Sequence, residues 1–408
     1  MTNKPPISIF TITNNPKWLS EAWESLKAQT FADFEWIILP NGGVKRDDIP
    51  ESAGWLKDDR VFVAPETLSD DIEPGNIGAL KAQACAVAHG DVLVEFDHDD
   101  LLLPDALAKV YAAFDSDSSI GMVYSNCCRV NDDWTPNLFG DGYGWQYREV
   151  EAFGHQVLEM VSPAPLPQNL SRIFYAPDHC RSWRASDYHR IGGHDASLKV
   201  GDDHDLICRF YLESKIHHID EPLYIYRIHG ANNWLERNAE VQTQQWRNYE
   251  KYIQPMAQKW SDEQGLKTVD LTGCGEPRWM LETSSVGLLL APLGLQHLPD
   301  PIATMNEAYR VLAHGGVFLI EIPATDGRGA WMDVTAKSFW NQNSFWYWTQ
   351  AQYQHFYKKA GANARFQVLE LKTYYPTEWH QGYSIPMVRA HLIAHKDDSR
   401  RFHGALEI

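Results

Sequence analysis

The feature that most constrains this chain is an acid cluster at the end of an apolar strand. Residues 91–96 are predicted to form a buried strand, which ends directly at Asp97-His98-Asp99, followed by Asp100. Because ligands of open α/β sheets bind at the carboxyl ends of the strands, these carboxylates lie at a ligand-binding edge. Two carboxylates one residue apart can hold a hard cation such as Mg²⁺ or Mn²⁺. The same acids could instead cap the next helix, so the residues alone leave both interpretations open.

Strands and helices alternate through the first half of the sequence. Buried strands are predicted at residues 7–12, 34–39, 60–63, 91–96 and 120–124. Helices are predicted between them, at about 19–29, 76–89 and 106–114. This alternation predicts an α/β fold with a parallel, doubly wound sheet. Residues 131–170, which are rich in Asn, Asp, Gly and Pro, are predicted to be loops.

The balance of charge limits the partners of the protein. The 408 residues include 36 basic and 54 acidic side chains, and the net charge of −18 disfavours a broad nucleic-acid-binding surface. No apolar run reaches the length of a transmembrane helix, and the first residues lack the apolar stretch of a signal peptide. The six cysteines show no zinc-like pairing. We therefore expect a cytoplasmic protein that does not insert into a membrane.

The second half of the chain has its own pattern of strands. Strands are predicted at 268–271, 286–290, 317–322, 366–371 and 389–394, with a helix at 305–312 and a turn at His314-Gly315-Gly316. Residues 236–265 are predicted to be a helical connector, with a domain boundary near 260. The predicted divisions are 1–235, 236–265, 266–395 and a tail at 396–408.

Several short motifs of the first half occur in a characteristic order. They are Thr13-Asn14-Asn15, Asn76-Ile77-Gly78, Asp97-His98-Asp99-Asp100, Gly201-Asp202-Asp203-His204-Asp205 and Tyr226-Arg227-Ile228-His229. This ordered set resembles the GT-A-fold family 2 glycosyltransferases over residues 5–235. The resemblance implies a Rossmann-like GT-A domain that binds a nucleotide sugar and transfers its sugar, with inversion, to an acceptor hydroxyl.

The resemblance also implies catalytic and metal-binding roles. Asp97 and Asp99, as the DxD motif, would bind Mn²⁺ or Mg²⁺, which neutralises the leaving diphosphate. His229 would add a metal contact, unless it is a surface-loop histidine. Asp203, the second acid of a pair that opens a helix, would be the catalytic base that takes the proton of the acceptor hydroxyl.

Two further residues are assigned to the acceptor side. Asp202 would face the acceptor, although an acid at a helix N-terminus can be purely structural. Trp234, just beyond the metal-binding histidine, could stack on a sugar face or pack as an aromatic lid on the core.

The donor-binding residues that the resemblance implies are Thr11, Thr13, Asn41, Lys81, Asp97 and Arg227. Asn41 replaces the aspartate pair usual in the family, and its amide can still hydrogen-bond a base or ribose. Lys81 is either a donor-binding cation or part of a solvated helix face. Arg227 either contacts the diphosphate or pairs with nearby acids. A UDP-sugar is the first expectation for the donor.

Residues 266–395 resemble the later part of the class I methyltransferase fold, of a type found in bacteriophage and bacterial genomes. Segments 295–301, 307–316 and 339–346 carry this resemblance. Asp270-Leu271-Thr272-Gly273-Cys274-Gly275 mimics a Gly-rich cofactor loop, but about twenty residues separate it from residue 295. Because each βα unit needs at least about thirty residues, half of the cofactor pocket is missing. We therefore expect a smaller, incomplete methyltransferase-like α/β domain, serving as scaffold, oligomerisation surface or acceptor platform.

Three functions remain open at this point. The first is a metal-dependent inverting glycosyltransferase acting on a glycan, a phage protein or a hydroxylated base in phage DNA, in the cytoplasm of a bacterium or a phage-infected host. The second is an S-adenosylmethionine-dependent methyltransferase. The third is a non-catalytic binding protein built from both remnants. Independently of the function, a second copy of the chain is a possible partner, through the C-terminal domain.

Overall fold

The chain forms two compact units, seen here in a computed structural model that describes residues 4–49, 54–140, 142–171, 173, 176–230, 237–273 and 279–404. The first unit comprises Met1–Gly140, Trp145–Pro165 and Tyr175–Asn248. The second comprises Asp141–Gly144, Leu166–Phe174 and Tyr249–Ile408. The division between Asn248 and Tyr249 falls inside one long helix.

The strands of the first unit are β1 (Ile7–Thr13), β2 (Phe34–Pro40), β3 (Val61–Val63), β4 (Val92–Glu95), β5 (Leu101–Leu102), β6 (Ile120–Asn131), β7 (Tyr147–Ala152), β8 (His155–Met160), β9 (Ser182–Arg184) and β10 (Lys215–Ile228). Its helices are α1 (Leu19–Lys27), α2 (Ile77–Ala86), α3 (Ala106–Ser116), α4 (Ala185–Arg190) and α5 (Asp202–Glu213), and the long helix α6 (Asn238–Glu263) follows. Short 3-10 turns cover Pro16–Trp18, Arg46–Asp48, Gly54–Lys57 and Glu66–Leu68.

The sheet of the first unit is mixed, not wholly parallel. Its strand order is β3-β2-β1-β4-β9-β6-β10-β5, and β8 joins β7 to β6. Strands β1 to β4 pair in parallel, as predicted, but β9 lies antiparallel between β4 and β6. The segment predicted to be loops contains the hairpin β7–β8, whose strands pair from Tyr147↔Met160 to Ala152↔His155. The prediction of a wholly parallel sheet is therefore wrong for the part beyond β4, where β9, β8 and β5 pair antiparallel with their neighbours.

Helix α2 is placed by its first turn. The side chain of Asn76 accepts a hydrogen bond from the Ala79 amide at 3.1 Å and so caps the helix. A Cβ on Gly78 would lie 2.4 Å from the Asp195 carbonyl oxygen and 3.1 Å from the Asp202 Cβ. Because only glycine leaves that space, α2 can approach the start of α5, where the predicted catalytic acid lies.

The second unit is built on a five-stranded sheet. Its strands are β11 (Lys267–Asp270), β12 (Val286–Pro292), β13 (Leu312–Pro323), β14 (Phe366–Tyr374) and β15 (Met387–Ala394), in the order β11-β12-β13-β15-β14. Strands β11, β12 and β13 are parallel, and β15 is antiparallel to both of its neighbours. Its helices are α7 (Pro301–Val311), α8 (Gly329–Met332), α9 (Trp346–Thr349), α10 (Ala351–Lys358) and α11 (Glu378–Gly382), with 3-10 turns at Leu295–His297 and Gln342–Phe345.

Two local predictions for this unit have clear outcomes. The start of α7 follows its sequence signals, because Asp300 accepts a hydrogen bond from the Ala303 amide at 3.0 Å and Pro301 occupies the first turn. The predicted turn at residues 314–316 lies within β13, where Gly315 has a φ of +82° and the pairing with β12 shifts register between Leu312 and Val317. Within the described parts of both units, no helix combines the length and the apolar character needed to cross a membrane.

Candidate active site

The acid cluster lies directly beyond β4 and is fixed by β10. Asp100 is buried; its Oδ2 accepts a hydrogen bond from the Tyr224 hydroxyl at 2.9 Å and its Oδ1 from the Arg227 amide at 2.8 Å. The Asp97 amide donates to the same tyrosine hydroxyl at 3.1 Å. Because α3 begins later, at Ala106, Asp100 does not cap that helix. Its carboxylate instead ties the cluster to the neighbouring strand.

Two of the predicted metal ligands contact each other. The Nε2 of His229, just after β10, lies 2.7 Å from the Oδ2 of Asp99. Both side chains are largely buried, with 13% and 12% of their areas exposed. The histidine therefore belongs to the acid cluster rather than to an exposed loop surface.

A buried ion network joins the acid strand to the predicted base. Glu95, on β4, is bound by Lys81 Nζ at 2.6 Å and by Arg181 Nη2 at 2.8 Å. Arg181 Nη1 also binds Asp203 Oδ2 at 2.8 Å, and Lys81 Nζ lies 3.7 Å from Asp202 Oδ2. Lys81 is 7% exposed, so the solvated-face interpretation of this residue is wrong. Its ammonium is held by acids of the network.

The network gives the two acids at the start of α5 opposite electrostatic character. Burial raises the pKa of Asp203, but the positive charges of Arg181 and Lys81 outweigh burial, and its pKa lies below the usual value. Burial dominates at Asp202 and raises its pKa to about 6. Asp203 also keeps 28% of its side chain exposed, whereas Asp202 is 3% exposed. An ionised, accessible carboxylate is what a general base requires.

Burial also acts on the acid cluster. Together with the neighbouring carboxylates of Glu95 and Asp99, it raises the pKa of Asp97 to about 7. A bound cation would oppose this effect, because positive charge favours the ionised carboxylate. The donor set of carboxylate oxygens with a nearby imidazole therefore suits Mn²⁺ or Mg²⁺.

One histidine of the cluster was not predicted from the sequence. One ligand atom each of Asp97, Asp100 and His179 lies within 4.8 Å of the other two. Burial lowers the pKa of His179 well below its usual value, so the imidazole is neutral. No local motif marks His179, because its neighbour Asp97 is far away in the sequence.

Two charged residues of the network were also missed. Glu95 does have a signal, since it is a charged residue inside an otherwise apolar strand and so requires a buried partner. Arg181 has none, because the strand that directly follows it, β9, is only three residues long.

Among the predicted donor residues, Asn41 lines a pocket, whereas Thr11 and Thr13 make internal hydrogen bonds. Asn41 lines a pocket of about 210 Å³ together with Gly42, Lys45, Asp70 and Glu73. Gly42 and the next residue have φ of +64° and +92°, which glycine adopts without strain and which let β2 end in a tight turn beside this pocket.

The two threonines of β1 make internal hydrogen bonds. Thr11 Oγ1, fully buried, donates to the Phe96 carbonyl at 2.7 Å and accepts from Trp36 Nε1 at 2.8 Å. Thr13 Oγ1 donates to the Asn15 carbonyl at 3.0 Å. Both threonines stabilise the end of β1 through these hydrogen bonds.

Arg227 shows the second of its two predicted behaviours. Its Nη2 lies 2.6 Å from Glu21 Oε2, and its guanidinium lies 4.8 Å from the ring centre of Trp18. The side chain is buried to 7% exposure. Arg227 therefore pairs with an acid of α1 in this structure.

Some predicted residues lie outside the described ranges. They are Trp234 and, in the Gly-rich segment of the second unit, Cys274 and Gly275. Asp270, at the end of β11, is described; its Oδ1 accepts a hydrogen bond from the Thr272 amide at 2.8 Å.

Part of the first unit matches a known family. Residues 8–163, from β1 to just beyond β8, match the model of glycosyl transferase family 2. This match supports the predicted glycosyltransferase resemblance of the first half. The methyltransferase-like character of the second half stays a prediction.

Several curated relatives align with part of this chain. The O-antigen biosynthesis protein RfbC of Myxococcus xanthus is 24% identical over 246 residues, 60% of this chain and 17% of that protein. An uncharacterized glycosyltransferase of Nostoc is 23% identical over 261 residues, 58% of this chain and 69% of that protein. A third, from Methanocaldococcus jannaschii, is 24% identical and is covered over 75% of its length. This chain thus spans less than a fifth of the first of these relatives.

Solved structures show partial similarity. Staphylococcus aureus TarS 1–349 in complex with UDP gives a TM-score of 0.42 at 17% identity, over 60% of this chain and 70% of that one. The mannosyltransferase PcManGT of Pyrobaculum calidifontis, in complex with GDP-Man and Mn²⁺, gives 0.41 at 15% identity, over 61% and 65%.

Proposed function

We propose that the protein is a divalent-cation-dependent, inverting glycosyltransferase that uses a nucleoside-diphosphate sugar. The observation that carries this proposal is the ion network of the first unit, which fixes Asp203 to the same Arg181 that holds the acid strand through Glu95. A base and a diphosphate-binding cluster must face one substrate, and this network connects them.

The role of Asp203 follows from its surroundings. As the acceptor oxygen forms its bond to the sugar C1, the C1–O bond to the diphosphate breaks on the opposite face, and Asp203 takes the hydroxyl proton. The ion pair with Arg181 keeps the carboxylate ionised at neutral pH, and the His204 amide, 2.8 Å from Oδ1, orients it. General-base catalysis of this kind contributes roughly 10²- to 10⁴-fold to a rate.

The acid cluster would serve the leaving group. Asp97, Asp99 and His229 would hold the divalent cation, which neutralises charge on the departing diphosphate. The chain's own contribution is to keep these acids in place, through the contacts of Tyr224 and Arg227 with Asp100.

The donor's nucleoside would occupy the pocket beside Asn41. The side-chain amide both donates and accepts hydrogen bonds, and so can bind a base edge or a ribose hydroxyl. We propose a UDP-sugar as the first donor to test. A pocket that also contains Asp70 and Glu73 offers acceptors to the donor groups of a purine, so a GDP-sugar is the second.

The proposal is tested by release of nucleoside diphosphate from a panel of nucleotide sugars, with and without acceptors. We expect release to require Mn²⁺ or Mg²⁺, to stop with a chelator, and to fall by about a hundredfold or more in Asp99→Ala. Asp91→Asn, an exposed acid at the start of the same strand, is the matched control and should keep full activity. Turnover that survives the chelator, or no release from any donor on the panel, would contradict the proposal.

The second unit carries aromatic side chains suited to a carbohydrate acceptor. Trp331 and Phe339 stack with ring centres 4.6 Å apart, Trp379 and Tyr383 contact each other in a tilted arrangement at 5.0 Å, and all four are exposed. They lie in segments that follow the carboxyl ends of β13 and β14, and these segments touch, since the Arg328 amide donates to the Ser384 carbonyl at 3.0 Å. We propose this aromatic surface as a glycan-binding platform, because sugar rings stack on exposed aromatic faces.

Removing one aromatic ring tests the platform. We expect Trp331→Ala and Trp379→Ala each to lower transfer to an oligosaccharide acceptor by about tenfold, which corresponds to the loss of one stacking contact. Hydrolysis of the donor should not change, because the donor site is not touched. Phe356→Ala, which removes an equally exposed ring on α10, is the control. Equal losses in all three variants would show that the surface is not specific.

A further inference from the structure

We propose that His179 is a cation ligand of this protein, acting together with Asp97 and Asp100. The proposal concerns a site made by three side chains of the first unit, of which only Asp97 was expected to bind metal. It is independent of sugar transfer, since cation binding can be measured with neither donor nor acceptor.

The pairing of β9 with β4 places His179. These strands are antiparallel, with Val94 opposite Ser182, and the Glu95 amide continues the ladder by donating to the Arg181 carbonyl at 3.0 Å. Continuing the same register by two more residues brings His179 opposite Asp97. Side chains directly opposite each other in antiparallel strands have Cβ atoms about 4.5–5.5 Å apart. The strand pairing thus runs the segment that carries His179 alongside the segment that carries Asp97.

Tyr224 aligns the imidazole with the second carboxylate. The ring of His179 stacks on the ring of Tyr224, with centres 4.3 Å apart and planes 8° apart. The hydroxyl of the same tyrosine donates to Asp100 Oδ2 at 2.9 Å. One side chain thus fixes both partners, and ligand atoms of Asp97, Asp100 and His179 lie within 4.8 Å of one another.

The histidine lacks the partner that burial demands. Its side chain is 4% exposed, and its Nδ1 is buried with no hydrogen-bond partner among the described residues. Its Nε2 lies 3.6 Å from Asp178 Oδ1, beyond hydrogen-bond distance. Leaving a buried polar atom unpaired costs about 1–3 kcal/mol, so such an atom in a native site calls for an unseen ligand.

The two carboxylates also lack a positive partner. Among the residues that the structure describes, neither Asp97 nor Asp100 forms an ion pair, whereas Lys81 and Arg181 bind Glu95 and the acids of α5. Buried carboxylates are normally paired or bound to a metal. Asp99, by contrast, already has His229 at 2.7 Å. The buried groups of the cluster that lack a counter-charge or a hydrogen-bond partner therefore lie on its His179 side.

The donor set makes a prediction about the metal. Mg²⁺ and Ca²⁺ favour sites made wholly of oxygen, whereas imidazole nitrogen suits transition metals. Two carboxylates and one imidazole therefore favour Mn²⁺ over Mg²⁺.

Manganese binding to the purified, metal-free full chain tests the site. Free Mn²⁺ is followed by its electron paramagnetic resonance signal during a titration with the metal alone. We expect His179→Gln to weaken Mn²⁺ binding by about 10- to 100-fold. His98→Gln, which removes the imidazole between Asp97 and Asp99, serves as the matched control and should bind Mn²⁺ nearly as the parent does.

Pulsed resonance on the Mn²⁺-loaded parent protein provides a readout that needs no variant to fold. We expect coupling of the metal to imidazole nitrogen that is kept in His98→Gln and weakened in His179→Gln by the loss of one nitrogen ligand. Absence of nitrogen coupling in the parent overturns the proposal, as does coupling that is unchanged in His179→Gln. Mn²⁺ binding that persists in a protein inactive on every nucleotide sugar would contradict the proposed function and leave this site standing.

Discussion

Replacing Asp203 by asparagine is expected to lower the rate of sugar transfer by roughly 10²- to 10⁴-fold, the usual contribution of a general base. The amide has the shape of the carboxylate and can still accept a hydrogen bond from the His204 amide, but it cannot take the acceptor proton. Donor affinity should stay close to that of the parent, because the pocket at Asn41 is unchanged. Steady-state kinetics with varied donor, together with donor binding by calorimetry, separate the two effects.

Neighbouring acids supply the controls for this experiment. Asp195→Asn, in the loop ahead of α5, removes a charge whose contact is only a local turn with Ser197, and should leave the rate unchanged. Asp202→Asn should cost less than Asp203→Asn, since Asp202 is nearly inaccessible. A larger loss in Asp202→Asn than in Asp203→Asn would exchange the roles of the two acids.

Replacing Glu95 by alanine is expected to destabilise the first unit by about 3–5 kcal/mol, the cost of leaving a buried charge without its partner. Glu95 is the counter-charge of both Lys81 and Arg181, and all three side chains are less than a tenth exposed. Burial alone would raise the pKa of Glu95, but the attraction of Arg181 and Lys81 is larger and holds its pKa below the usual value. The free energy of unfolding from a urea titration is the measurement.

An exposed ion pair of the same unit provides the comparison. Glu221→Ala breaks the contact between Glu221 and Lys109, at 2.6 Å but with 56% and 34% of the side chains exposed. Such surface pairs contribute about 0–1 kcal/mol. If the loss in Glu95→Ala were as small as in Glu221→Ala, the network would not be what holds the site together.

The sequence was most informative where structure is decided locally. The apolar runs of β1 and β2 and the capping residue Asn76 are local signals, and these elements lie within a few residues of the predicted positions. The convergence of Asp99 with His229 was also foreseen, but through motif order rather than through any local rule. Long buried strands and capped helices are the elements for which the sequence suffices.

What could not be predicted depends on contacts between distant segments. Strand β9 has three residues, too few for a pattern, and it forms only because β4 and β6 offer ladder partners on both sides. Arg181 and His179 lie in the segment just before β9, and the pairing of this strand with β4 brings them to the acid cluster. The hairpin β7–β8 was missed because polar residues dominate its exposed face, as at Glu149 and Gln156.

The pocket beside Asn41 lies at loops after β2 and before α2, and none of the residues lining it belongs to the ion network of Glu95. Under the proposed function, choice of nucleotide and acid–base chemistry would therefore be housed in separable parts of the first unit. An engineer could exchange residues 41–45 or 69–74 to accept a new base without disturbing the charges that hold the reacting groups. Such modularity would let one scaffold serve many donors.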